Sequence, residues 1–251
     1  MKTQLRAFGP PRSYSVNAFI GEAKKYISEV KDSLGVFETG FQCGGAHTRP
    51  RKQVSAMMDD FDQAMFDQIF VGDQMYKDAD GNKSEYSLNS IGPNYICRFD
   101  LPDLSLDDPQ YIGLSMHGDG FAKPSPQGNL IMWEFHPDRE GHPLSNYQGV
   151  RSLLETTVQH RKPDLANCTT HAFRRATGYD RKLDKFDIGW LTYFNDPAYG
   201  KAVEGVAETE RLGDGVLIRV CDDFRQIEHP DVIARGSRVR QALMRAGLLI
   251  K

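Results

Sequence analysis

Between residues 84 and 135 the apolar residues of this chain change period, and that change sets what the chain can fold into. Upstream, Val16, Phe19, Ile20, Ala23, Ile27, Val30 and Leu34 recur at steps of three and four, which lines them up along one stripe of a helix. Gly35 follows as a natural stop, since a glycine accepts the left-handed conformation that ends helices. The same spacing in Val54, Met57, Met58, Phe61, Met65 and Ile69 predicts a second helix from about Lys52 to Phe70. From Ser84 onward the runs shorten and alternate. Tyr86 to Ile91, Tyr95 to Leu101, Tyr111 to Met116 and Leu130 to Phe135 are bounded by turn residues and predict antiparallel strands.

Helical spacing returns on Tyr147, Val150, Leu153, Leu154 and Val158, predicting a helix from about Asn146 to His160 that Pro163 helps to end. Two more strands are expected at Ile188 to Phe194 and Gly215 to Cys221, with a short helical stretch near Pro197 to Val203 and a turn at Gly213-Asp214-Gly215 between them. A final helix is expected from Pro230 to Leu249, opening on a proline at a favoured first position. Regular alternation of strand and helix is missing, as is any glycine-rich phosphate loop, so a doubly wound parallel sheet is not expected. The expected fold is α+β, a mainly antiparallel sheet packed against several helices. No repeat, low-complexity tract or Pro/Gly/Ser linker marks a boundary, and residues 1–251 are expected to form a single domain.

At 251 residues and 39% hydrophobic, the chain can bury a sizeable core. No run reaches the roughly 18 consecutive apolar residues of a membrane helix, and the opening MKTQLRAFGPPRSYS has no apolar signal core. A cytoplasmic protein without membrane contact is the expectation. Cys43, Cys97, Cys168 and Cys221 lie far apart with no zinc-type spacing, and are expected as reduced, buried thiols.

Net charge is only −3, but its distribution is uneven. Residues 55–119 carry three Lys and Arg against thirteen Asp and Glu, whereas the stretches before and after are net basic. Within that acidic segment, Asp59, Asp60 and Asp67 fall on the half of the expected second helix opposite its apolar stripe, and so do Phe66 and Phe70. A face that mixes carboxylates with two phenylalanines is either covered by the same protein or offered to a partner. These five residues are the candidate partner-binding set.

Motifs for chemistry are sparse. His117-Gly-Asp119, with His136 or His171 as a third ligand, is the pattern of a metal-dependent enzyme. Glu134, Asp138 and His142 lie nearby in sequence. Against that reading, residues 117–143 are dense in glycine and proline, which places these histidines in loops. Asp78-Ala-Asp80-Gly-Asn82 resembles a calcium loop, yet Lys83 stands where the turn needs glycine and no glutamate follows at the twelfth position. No nucleophile elbow or reactive-cysteine motif is present. Arg235, Arg238, Arg240 and Arg245 of the last helix have no aromatic platform beside them and are expected as a solvated face, not a nucleic-acid site. No catalytic residue, cofactor or metal is therefore assigned.

The last third of the chain is more specific. Gly189-Trp190-Leu191-Thr192-Tyr193 opens a strand, Glu208 to Gly215 leads through a Gly-Asp-Gly turn, and Val216 to Val220 forms a second strand. Asp222-Asp223-Phe224 and His229-Pro230 then introduce the arginine-rich helix. This order resembles the C-terminal part of the bacterial immunity protein 52 family over about sixty residues, with a looser fit upstream. The resemblance implies a non-enzymatic antitoxin, encoded beside a polymorphic toxin that is often delivered by type VI secretion. It implies a restriction-endonuclease-like nuclease toxin as partner and no catalytic residues. Trp190, Tyr193, Gly213 and Gly215, recurrent in that family, are read as core and turn positions because a tryptophan among aliphatic strand neighbours packs inward.

Overall fold

The computed structural model describes residues 2–10, 15–44, 51–69, 76–77, 83–84, 95–101, 108, 110–118, 129–136, 143–180 and 182–249. In chain order it contains β1 (Thr3–Phe8), α1 (Val16–Leu34), β2 (Phe41–Gly44), β3 (Lys52–Val54), α2 (Phe61–Ile69), β4 (Tyr76–Lys77), β5 (Lys83–Ser84), β6 (Tyr95–Asp100), β7 (Ile112–Gly118) and β8 (Leu130–Phe135). It continues with α3 (Tyr147–Arg161), β9 (Leu165–Thr169), α4 (His171–Ala176), β10 (Leu191–Phe194), α5 (Ala198–Ala202), β11 (Glu208–Leu212), β12 (Gly215–Arg219) and α6 (Pro230–Arg245). The fold is α+β with mainly antiparallel strand pairing, as its change of period implies.

Contacts gather the chain into two compact units, Pro10–Trp133 and Met1–Gly9 with Glu134–Lys251. One division falls inside β8, between Trp133 and Glu134, where no change of composition could announce it.

In the unit Pro10–Trp133 the strand order is β8-β7-β6-β2-β3, with β4 and β5 as a separate hairpin. α1 occupies the span its stripe predicts. Ser15 accepts a hydrogen bond from the Ala18 amide at 3.2 Å, and Gly35, at φ 66°, closes the other end on the Lys31 carbonyl. Seven α1 residues, Val16 to Val30, are buried. Beneath them lies an aromatic cluster: Phe41, Phe61 and Phe99 pack with ring centroids 5.7–6.1 Å apart. The Trp133 indole donates to the Tyr26 hydroxyl at 2.8 Å and stacks on Phe37.

The helix expected over Lys52 to Phe70 is not continuous. Lys52–Val54 is a strand, paired to β2 with Val54 opposite Phe41. A turn follows, and α2 starts only at Phe61. Strand pairing wins at the amino end because Val54 buries its side chain equally well there. The strand expected at Tyr86 to Ile91 and the calcium-like Asp78 to Asn82 segment lie outside the described residues.

In the second unit the order is β11-β12-β10-β9-β1, with each neighbouring pair antiparallel. β9 is buried at all five positions, including Asn167 and Thr169. Asn167 is satisfied from far along the chain: Arg6 donates to its oxygen at 3.1 Å, and its amide donates to the Asp187 carbonyl at 2.9 Å. Gly189 permits a close strand approach, since a Cβ there would sit 2.2 Å from the Cys168 carbonyl oxygen. Trp190 is fully buried against Phe224 and Tyr147.

α6 corrects one sequence expectation. Its arginines are not simply a solvated face: Arg240 forms a bidentate pair with buried Asp184, and Arg235 donates to the Val220 carbonyl at 2.8 Å. Gly236 lets α6 lie against α4, because a Cβ there would meet Phe173 and Thr177 within 2.8 Å.

Candidate functional site

The acidic segment belongs to the unit Pro10–Trp133, which carries eleven Lys and Arg against seventeen Asp and Glu, a net −6. The remainder of the chain carries twenty against seventeen, a net +3. Localised charge of this kind steers an oppositely charged partner. Part of it is neutralised at close range: Asp62 pairs with Lys24 at 3.2 Å, and Asp67 with Lys52 at 3.3 Å. Exposed pairs of that sort contribute only about 0–1 kcal/mol each to stability.

Asp59 and Asp60 stand before α2, not on it, and both are exposed. Asp60 accepts a hydrogen bond from the Ser55 amide at 3.2 Å, so its carboxylate also shapes the turn. Phe66 and Asp67 are half-buried, and Asp67 accepts from the Gln63 side chain at 2.7 Å. Phe70 lies outside the described residues. The candidate set is therefore divided between a turn and a helix. Reading it as one helix face also mistook Met57 for core: Met57 is 78% exposed.

The residues suggested for metal binding are scattered through the secondary structure. His117 is in β7, not in a loop as its glycine-rich neighbourhood suggested, and it pairs with Ile96 of β6. His136 directly follows β8, and His171 is the exposed first residue of α4. Asp119, Asp138 and His142 lie outside the described residues. Among the described residues, no three His, Cys, Asp or Glu side chains come together to hold a metal ion.

Burial holds the His117 imidazole below its ordinary pKa. As pH falls through the ordinary histidine range, the unfolded chain takes up a proton before the folded one, and stability declines. His117→Gln is expected to flatten that decline, read as the urea midpoint at a series of pH values from 7.5 downward.

All four cysteines are free and buried. Burial, with a smaller contribution from Asp100, pushes the Cys43 thiol up to about 12, and burial, with Asp222, does the same to Cys221. Burial also raises Cys97 and Cys168. Burial of this kind disfavours the thiolate, and the four side chains pack into the interior.

Of the positions that carry the sequence resemblance, Trp190 and Tyr193 are buried, and Gly213 takes the turn at φ 58°. Tyr193 and Gly213 also line a cavity of about 500 Å³ with Val158, Lys162, Asn195 and Asp214, which no sequence signal marked. Lys162 and Asp214 give its lining both signs of charge.

No protein-family model matches the chain. No curated protein matches it either. Among solved structures, it is similar to the Pseudomonas aeruginosa T6SS protein PA0821, at 11% sequence identity and a TM-score of 0.49. That similarity covers 87% of this chain and 64% of the other, so this chain spans less than two thirds of that protein's length. Among the described residues, no helix is long and apolar enough to cross a membrane.

Proposed function

We propose that this chain is an immunity protein: it binds a cognate secreted toxin, a restriction-endonuclease-like nuclease delivered by type VI secretion, and neutralises it by steric occlusion in the cytoplasm. The observation that carries this reading is the net −6 gathered into the unit Pro10–Trp133, against the net +3 of the rest. A nuclease must present lysine and arginine to phosphates. An acidic protein surface is steered to that same face, which raises the association rate and covers the site where nucleic acid would enter. The order of motifs from Gly189 through the arginine-rich final helix, read from the sequence as resembling the immunity protein 52 family, points the same way, although no family model matches the chain. The proposal needs no catalytic residue, metal or cofactor in this chain.

The test is co-expression with the toxin encoded beside this chain. Growth is expected to be rescued, and the two proteins are expected to co-purify with an association rate that falls as salt rises. If neither rescue nor co-purification occurs, the reading is wrong.

A further inference from the structure

We infer that the turn Ser55 to Met58 is the apolar anchor of a docking surface for a basic protein, with Met57 inserting into a shallow apolar pocket of that partner. This rests on the protein-binding reading above and identifies where on the acidic unit the partner sits. Met57 is 78% exposed, while its neighbours Val54 and Met58 are buried. The turn that presents it is firmly held. The Met58 amide donates to the Ser55 carbonyl at 3.0 Å, and the Phe61 amide donates to the Met58 carbonyl. Met58 takes φ 59°, a left-handed conformation that costs a non-glycine residue energy. Its side chain is anchored inward beside the Ser28 hydroxyl, and the Lys31 ammonium donates to the Ala56 carbonyl. The Ser55 amide is fixed on Asp60. An exposed methionine on a turn fixed by five hydrogen bonds loses little backbone freedom on binding, and its flexible thioether adapts to an irregular pocket.

Charge selects the occupant. Asp59 and Asp60 follow Met58, and the Lys31–Ala56 bond ties the turn to the end of α1, where Asp32 is exposed, with Glu38 exposed in the turn just beyond. Lys31 is committed to a carbonyl, and Lys24 to Asp62. The surroundings of Met57 are thus carboxylate-rich, which fits a lysine- and arginine-bearing protein surface. A second copy of this chain fits badly, because a two-fold contact would set these same carboxylates against each other.

The experiment uses the full chain and the catalytically inactivated toxin encoded beside it, with affinity measured by calorimetry and association rates across a salt series. Met57→Ala is expected to weaken binding about tenfold or more, mainly through faster dissociation, with an unchanged melting temperature because the side chain is exposed. Asp59→Lys with Glu38→Lys is expected to slow association and flatten its salt dependence. If the natural chain binds and rescues while Met57→Ala and Met57→Lys both stay within twofold of it, the inference is overturned and the immunity reading survives. Binding that is sensitive to Met57 but indifferent to salt and to both charge reversals overturns the basic partner. A dimer of this chain alone that Met57→Ala dissolves overturns it in favour of self-association. No binding and no rescue by the natural chain removes both.

Discussion

Replacing Asp184 with alanine lowers the stability of the unit that holds it by about 3–5 kcal/mol, the cost of leaving a partly buried cation without its counter-ion. Asp184 is 1% exposed and receives both the Nε and Nη2 groups of Arg240, each at 2.9 Å. It also accepts from the Asp180 amide at 2.9 Å, and so fixes the loop after α4 as well as α6. Three donors converge on one carboxylate, and alanine orphans all of them. Asp184→Asn retains an acceptor and is expected to lose less. Urea unfolding is the measurement, with a shifted midpoint and an unchanged slope as the expected result. The double variant Asp184→Ala with Arg240→Met should recover part of the loss, because it removes the stranded charge together with its partner. A loss below 1 kcal/mol for Asp184→Ala alone contradicts the assignment.

Such a pair also explains why parts of the fold could not be read along the chain. Arg240 reads as one of four arginines on an amphipathic helix, and nothing local distinguishes it from Arg238, which is exposed. Its role comes from a carboxylate 56 residues upstream. β9 carries no periodic signal for a related reason. Its sequence Leu-Ala-Asn-Cys-Thr does not alternate, since it is buried on both faces, and Asn167 is tolerated there only because Arg6 and Asp187 arrive from distant segments. β1 does alternate in burial, but Arg6 and Gln4 disguise it as a polar leader. Elements whose determinants are local, such as α1 with its Ser15 and Gly35 ends and β8 with its apolar run, fall where periodicity places them.

The candidate site was legible only in part, and the reason lies in one coincidence. Val54, Met58, Phe61 and Met65 are all buried, at intervals that suit a helix. A strand, a left-handed turn and a short helix bury the same four residues, so periodicity alone cannot separate the two arrangements. What separates them is the pairing of Val54 with Phe41 across β2 and β3, which is a tertiary fact. The carboxylates Asp59 and Asp60 were found by charge, which does not depend on secondary structure. Met57 lies on the buried side only if the segment is a helix, and the turn that replaces the helix exposes it.

Trp190→Ala is the second large effect expected, at about 3–5 kcal/mol, and it separates stability from recognition. Trp190 is fully buried, with Phe224 at 5.4 Å and Tyr147 at 6.5 Å between ring centroids. Its backbone bridges two neighbours, donating to the Cys168 carbonyl at 2.9 Å and accepting from the Val220 amide at 2.8 Å. The backbone bonds survive the substitution while the indole volume is lost, so the cost is that of a cavity between β10 and the segment around Phe224. Trp190→Phe should retain much of the packing and lose correspondingly less. Because the indole reaches no solvent, affinity for the proposed partner measured well below the melting temperature should be unchanged in Trp190→Ala, although growth rescue in the co-expression test should fall with the folded population. Met57→Ala is expected to do the reverse, losing affinity at constant stability. A Trp190→Ala protein that remains fully folded yet binds at least tenfold more weakly would move Trp190 from the core into the contact surface, and would mean that this part of the chain recognises the partner instead of supporting the fold.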